Sequence, residues 1–160
     1  MLNDQELLWI ERSVLCWLAT ASVASGDEVS VEPSVSPKEL WVAMPERVLI
    51  ANVASAHSMR NVKSCGRVCV AFLDVFRQKG VQVYGPAEVV NKSDERFAGL
   101  ATPLLEMAGE DFPFASLFLV TPERTREIVA PRYRLFPETT EGSQIESALD
   151  TYGVRALMGG

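Results

Sequence analysis

The sequence is poor in the residues that hold metals or form disulfides. It contains one histidine, His57, and three cysteines in 160 residues. Structural zinc usually takes four Cys or His ligands in close pairs, so this set predicts no metal site. An odd number of cysteines is more typical of a reducing compartment than of a disulfide framework, and it favours a cytoplasmic protein.

Long apolar runs and excess positive charge are also missing. No stretch approaches the roughly 20 apolar residues that a membrane helix needs, and the acidic start of the chain lacks the basic region of a secretory signal. The chain has 15 Lys and Arg against 21 Asp and Glu, a net charge of −6. Nucleic acids and anionic membranes recruit basic surfaces, so we expect a small-molecule substrate as partner rather than either of these.

Short runs of strand type alternate with turn residues along most of the chain. They cover residues 14–22, 28–35, 39–44, 47–53, 67–75, 80–90, 116–122 and 125–131. Their close spacing leaves no room for crossover helices, so the sheet is expected to be antiparallel and closed into a barrel. We predict one mostly β domain over residues 1–160, with six or seven strands and peripheral helices.

Capping residues and apolar patterns predict four helices. The first is capped by Asn3 with Glu6 three residues later, and the last by Thr140. Between residues 53 and 67 a helix begins at Ser55 or Ser58. A further helix over residues 94–109 is expected to break near Pro103.

The stretch at residues 50–72, "IANVASAHSMRNVKSCGRVCVAF", has a polar segment between two strand-like ends. His57 and Ser58 are sequence neighbours and do not specify a Ser–His pair, which needs facing side chains and a third group that orients the imidazole. A phosphate site is better supported, because short polar side chains and Arg60 stand at the start of a predicted helix.

Charge is distributed unevenly around this segment. Residues 57–80 carry five cations and one anion, a local +4 in a protein of net −6. These cations fit either an anion site or an ordinary solvated basic face, and charge alone does not separate the two. Upstream, Ser36-Pro37-Lys38 interrupts a strand, which indicates an edge or bulge that turns a lysine toward a ligand, or a simple turn.

Three motifs in sequence resemble the pyridoxamine 5′-phosphate oxidase-like family, the FMN-binding split β-barrels. They are "SPK" at 36–38, "ANVASAHSMRN" at 51–61 and "KGVQVYGPAE" at 79–88. The resemblance covers most of residues 10–130, and the tail is similar to that of a bacterial oxidase-related subgroup. It implies an antiparallel split barrel and a homodimer with two FMN molecules at the subunit interface.

The resemblance also implies which residues contact FMN. Val35, Ser36 and Lys38 would lie along the flavin and ribityl chain, and Ile50 and Ala51 would present backbone to the isoalloxazine edge. The phosphate would be held by Ser55, His57, Ser58, Arg60 and Asn61, with Lys79 nearby.

Two departures from the true oxidases change the expected function. His57-Ser58 stands where they place an Arg-Lys pair, and the acidic tail lacks the basic segment that grips pyridoxine phosphate. We therefore expect an oxidoreductase acting on another small organic substrate or on reduced nicotinamide, with no catalytic acid or base identified. The alternatives are a non-catalytic flavin or haem carrier or sensor, with His57 as the axial ligand available to haem, and a barrel that has lost its cofactor. F420 in place of FMN ranks lower, because its longer acidic tail would need a more basic surface.

Overall fold

Strand runs and turns form one antiparallel sheet in the computed structural model, which describes residues 1–22 and 31–157. The strands are β1 Leu15–Ala21, β2 Val31–Pro37, β3 Trp41–Met44, β4 Arg47–Asn52, β5 Arg67–Asp74, β6 Lys79–Asn91, β7 Ser116–Val120 and β8 Arg124–Val129. The helices are α1 Asp4–Arg12, α2 Ala56–Cys65, α3 Phe97–Ala108, α4 Pro131–Leu135 and α5 Glu141–Tyr152. Residues 28–30, the predicted start of the second strand, lie outside the described residues.

The strand order is β2-β1-β5-β6-β7-β4-β3, with β8 also paired to β6. β6 is 13 residues long and joins the two halves of the sheet. Its first half pairs with β5 and β8, and its second half pairs with β7. β7 and β8 pair with successive parts of β6, so the eight strands occupy seven positions in the sheet. This agrees with the prediction of six or seven strands.

The sheet is a split barrel and does not close fully. β2 and β3 are the two edges, and among the described residues no ladder joins them. The predicted strand over 39–44 is shorter than expected, because Lys38–Leu40 forms a 3-10 turn that carries the chain from one edge to the other. Pro37 ends β2 without a backbone N–H to donate, and β2 is an edge strand, as its proline indicated.

Helices pack on both faces of the sheet, because β4 contributes Ile50 to the core under α1 and α2 and Leu49 to the core under α3. α1 and α2 contact β1, β5 and β6, while α3 contacts β3 and β4. The core beneath α1 and α2 includes Phe72, Trp41 and Phe118, and a second cluster lies beneath α3. No helix among the described residues is long and apolar enough to cross a membrane.

The predicted caps are confirmed at both ends of the chain. Asn3 accepts a hydrogen bond from the Glu6 N–H and the Glu6 carboxylate accepts one from the Asn3 N–H, which completes a capping box. Thr140 caps α5 in the same reciprocal way with Ser143.

The expected break at Pro103 is wrong, because α3 runs through it without interruption. Pro103 removes one backbone hydrogen bond. Ala101, Leu104 and Ala108 are buried on one side of the helix in the second core cluster, and this packing keeps the helix straight through Pro103.

The strand predicted over 125–131 ends at Val129. Pro131 instead occupies the first turn of α4, a short helix that was not predicted.

Candidate functional site

The start of α2 presents unpaired backbone donors at the rim of the barrel. Ser55 is the N-cap, as predicted, and its side chain makes no capping hydrogen bond. The first N–H groups of a helix have no partner within it, and the helix dipole makes this end positive. Beside it lies an open groove of about 380 Å³, lined by residues 52–56, Met59 and residues 113–116.

Asn52 positions this helix start, which the sequence interpretation missed. Its side-chain oxygen accepts a hydrogen bond from the Ser55 N–H at 2.9 Å, and its amide donates to the Ser116 hydroxyl at 3.1 Å. The available signal was an Asn three residues before the cap, since Asn side chains often bond the backbone of a following turn.

His57 and Arg60 lie on the exposed side of α2. The His57 Nδ1 is 3.8 Å from the Glu32 carboxylate, and the imidazole is about two-thirds exposed (64%). Arg60 is exposed and forms no hydrogen bond or ion pair with any described residue. Lys63, one turn later, is exposed and unpaired within the same described part of the chain.

Ser58 and Asn61 face the sheet instead. The Ser58 hydroxyl is fully buried and has no hydrogen-bond partner among the described residues. Asn61 is also buried, and its amide donates to the Thr20 hydroxyl on β1 at 3.1 Å. Their side chains are therefore part of the packing between α2 and the sheet, and only their backbone belongs to the exposed rim.

Residues of β2 and the turn after it lie on different sides of the sheet. Val35 points outward and is half exposed, whereas Ser36 is buried. The Lys38 ammonium donates to the Glu11 carbonyl at the end of α1, a position where helix ends favour a cation. Ile50 and Ala51 are buried in β4, which is paired on both sides.

Lys79 lies at the opposite end of the β5–β6 hairpin from α2. The ladder runs from Arg67 opposite Pro86 to Asp74 opposite Lys79, so about seven residue steps separate Lys79 from the α2 end, roughly 23 Å. Its ammonium donates to Glu141 at 3.1 Å and lies 4.5 Å from the centre of the Tyr133 ring. Within a single chain, Ser55, His57 and Arg60 therefore lie together at α2, while Lys38 and Lys79 lie away from this helix.

Ion pairs reduce the basic excess of this region. Arg67 pairs with Glu123, while Arg77 pairs with Asp74 and Glu141. With Lys79 also paired, Arg60 and Lys63 are the two of the five cations without an ion pair among the described residues. The unpaired charge is thus concentrated on α2.

Two of the three cysteines, Cys16 and Cys69, are poorly suited to act as nucleophiles or metal ligands. Burial raises the pKa of the Cys16 thiol to about 12, and partial burial raises the pKa of Cys69 as well, against the opposing effects of Tyr84 and Arg124. Thiols with raised pKa values form little reactive thiolate. The described residues contain no cluster of three His, Cys, Asp or Glu side chains that could hold a metal.

Comparisons with known proteins identify the fold and the family. The family model described as pyridoxamine 5′-phosphate oxidase matches residues 2–132. Similar structures include HupZ of Group A Streptococcus, with 19% identity, a TM-score of 0.62, and 80% of this chain and 100% of that chain covered. No curated protein matches the sequence.

Two further structural neighbours bear different cofactor descriptions. HutZ of Vibrio cholerae, described as a haem storage protein, has 18% identity and a TM-score of 0.59, covering 81% of this chain and 95% of that one. An FMN-binding protein of Syntrophomonas wolfei has 14% identity and a TM-score of 0.53, covering 79% and 90%. At these identities the neighbours show the fold alone.

Proposed function

Because the chain belongs to the pyridoxamine 5′-phosphate oxidase family, we propose that it is a cytoplasmic, homodimeric flavoprotein that binds FMN. The observation that supports this proposal is the uncovered start of α2 with the unpaired Arg60 beside it. Free backbone donors, the positive end of a helix dipole and an arginine are a suitable set for a phosphate group. The description of the Syntrophomonas wolfei neighbour agrees with this cofactor.

Side-chain exposure supports a smaller set of phosphate contacts within the proposed site. The Ser55 hydroxyl, the N–H groups of the first turn of α2, His57 and Arg60 are on the exposed rim. Ser58 and Asn61 would contribute backbone at most, because their side chains are buried. Val35, Ser36, Lys38, Ile50, Ala51 and Lys79 remain proposed contacts for the rest of the cofactor.

When bound, FMN would supply the transfer of hydride or electrons to and from the substrate. The protein's own contribution would be to bind the phosphate, orient the ring and limit access of water. The proposed reaction is therefore an oxidoreduction of a small organic molecule or reduced nicotinamide. The raised pKa values of Cys16 and Cys69 argue against either of these residues taking part as a thiolate.

A haem carrier is the second candidate, and His57 is the observation that favours it. Its Nδ1 faces the Glu32 carboxylate, an arrangement that often orients a metal-binding histidine and leaves Nε2 available. HutZ is described as a haem storage protein. Titration of the purified protein with FMN and with haem, followed by absorption spectra, distinguishes the two. The flavin proposal expects saturable binding of FMN. The haem proposal expects instead a haem absorption band that is lost in His57→Ala.

The phosphate site is tested by comparing Arg60→Ala with Lys63→Ala. Loss of charge-assisted hydrogen bonds to phosphate costs about 1.5–3 kcal/mol, which is roughly ten- to a hundredfold in affinity. We therefore expect Arg60→Ala to weaken FMN binding at least about tenfold, measured by titration calorimetry. Lys63→Ala is the matched control, an exposed and unpaired cation on the same helix, and should change affinity little.

Riboflavin separates a phosphate contact from general support of the fold. It lacks the phosphate, so Arg60→Ala and the wild type should bind it equally. If Arg60→Ala and Lys63→Ala lose equally small amounts of FMN affinity, the cations form an ordinary basic surface and no phosphate site. If Arg60→Ala loses riboflavin affinity as much as FMN affinity, Arg60 supports the fold and does not contact the phosphate.

A further inference from the structure

Five strands of the sheet expose one face that no described helix covers. On this outer face, residues opposite each other form two rows that cross β2, β1, β5, β6 and β8. The rows are Pro33–Ala19–Cys69–Tyr84–Arg124 and Val35–Trp17–Ala71–Gln82–Arg126. α1 and α2 pack on the opposite face, where the core lies.

The outer face is apolar at one side and cationic at the other. Val31 and Val35 on the edge strand β2 are 68% and 52% exposed. On β8, the Arg124 guanidinium stacks 4.1 Å from the centre of the Tyr84 ring, and neither it nor Arg126 has a carboxylate partner among the described residues. Edge strands with exposed apolar side chains are usually covered or paired.

The C-terminal arm, residues 131–157, has the complementary charge on its helix α5, whose charged side chains are all carboxylates, while the three arginines of the arm lie before and after this helix. Nearly all of it lies beyond the family match at 132. Leu135, Phe136, Tyr152, Val154 and Leu157 are exposed apolar side chains on this arm. Its exposed carboxylates Glu138, Glu146 and Asp150 have no cationic partner in the described part of the chain.

Within one chain the arm is anchored at the turn between β5 and β6. Glu141 bonds Arg77 and Lys79, the Tyr133 hydroxyl donates to the Arg77 carbonyl, and Gln144 donates to Gln78. Phe76 packs edge-on against Tyr152. No hydrogen bond or ion pair among the described residues joins the arm to the outer face of its own sheet.

We propose that the arm of one copy covers the outer face of a second copy, with its carboxylates opposite Arg124 and Arg126. The inference rests on the proposed homodimer and specifies which surfaces form it. A second copy is the occupant because this chain carries both an apolar, cationic face and an apolar arm whose helix α5 is acidic. A twofold axis would bury both pairs of surfaces at once.

Two charge-reversed proteins test this contact in the full-length chain. One carries Arg124→Glu and Arg126→Glu on the face, and the other carries Glu146→Arg and Asp150→Arg on the arm. In each homodimer both contacts juxtapose like charges, which disfavours association. We expect each variant alone to raise the dimer dissociation constant at least about tenfold in sedimentation equilibrium.

Mixing the two variants should restore dimerisation. In the mixed dimer one contact pairs the reversed face with the reversed arm, and the other pairs the two native surfaces, so both are again attractive. Glu95→Arg, which changes an exposed carboxylate outside the arm and face, is the control and should leave the wild-type dimer intact.

The outcomes separate this inference from the proposed function when FMN binding is measured on the same samples. If both charge-reversed variants bind FMN and dimerise as tightly as the wild type, the arm–face contact is overturned and the flavoprotein proposal still holds. Restored mixed dimers that bind no FMN would support the contact and overturn the cofactor. A wild type that stays monomeric would overturn the contact outright.

Discussion

Neighbouring residues of α2 have different roles because the helical period turns them to different sides. Ser58, Asn61 and Val62 are buried, at spacings of three and four residues, while His57 and Arg60 are exposed. The polar segment that reads as one ligand-binding motif in the sequence is therefore two groups. One holds the helix to β1, and the other is available to an anion.

Asn61→Ala should lower the free energy of unfolding, because Asn61 is buried and bonded to Thr20. Loss of a buried hydrogen bond that leaves a group unsatisfied costs about 1–3 kcal/mol. Urea denaturation followed by circular dichroism measures this loss. Arg60→Ala is the control, since it removes an exposed side chain without a partner in the described residues and should leave stability within about 0.5 kcal/mol of wild type. Equal stabilities of the two variants would contradict the structural role of Asn61.

At the scale of elements, β6 holds the two halves of the sheet together. Its pairing partner changes near Gly85: β8 pairs with the residues before Gly85 and β7 with the residues after it, and residues 121–123 connect these two strands. The backbone approaches closely here: a Cβ at Gly85 would lie 1.9 Å from the Thr121 carbonyl oxygen. Only glycine permits this contact without a backbone shift.

Gly85→Ala is accordingly expected to destabilise the protein by at least about 1–3 kcal/mol, the usual cost of overpacking. Gly99→Ala is a matched substitution in α3, where an added Cβ meets nothing within 4 Å. That variant should be more stable than wild type by about 0.5–1 kcal/mol, because alanine is the better helix former. Thermal unfolding of both variants measures the contrast, and the expectation fails if both shift the midpoint in the same direction.

At the scale of the whole molecule, the C-terminal arm is joined to the barrel mainly by a small ionic network. Asp74 is buried beside Arg77, and Glu141 bridges Arg77 and Lys79. The hydrogen bond from Lys79 is the largest cause that lowers the pKa of Glu141, and the one from Arg77 adds to it. Docking of the arm is therefore linked to pH.

Acidification should release the arm before the barrel unfolds. A carboxyl with a lowered pKa stabilises the docked state above its ordinary pKa of about 4.3, and this contribution is lost as pH falls through the lowered value. The protection factors of the α5 amides against hydrogen exchange should therefore fall below about pH 4, while those of β5 and β6 stay high. Glu141→Gln should already exchange faster in α5 at neutral pH and should lose most of the acid dependence. Unchanged exchange in this variant would show that the network does not hold the arm.

Local signals in the sequence determined much of this fold. The helix caps, the helix that starts after Ser55 and the strand runs with their turns follow from residues within a few positions of one another. The close spacing of the runs predicted antiparallel pairing, and Pro37 indicated an edge strand, although the ladders themselves join distant residues. The three motifs also identified the family. Caps and turns are readable because their hydrogen-bond partners are close in the chain.

Tertiary structure alone decided which residues remain available to a ligand. Arg77 and Glu141 are 64 residues apart, and Asn61 and Thr20 are 41 apart, so no local pattern predicts that one cation is neutralised and one amide buried. The open edge between β2 and β3 and the uninterrupted α3 depend likewise on packing between distant elements. The sequence supplied the candidate side chains, and long-range pairing and burial left Arg60 and the start of α2 as the exposed, unpaired part of the predicted phosphate site.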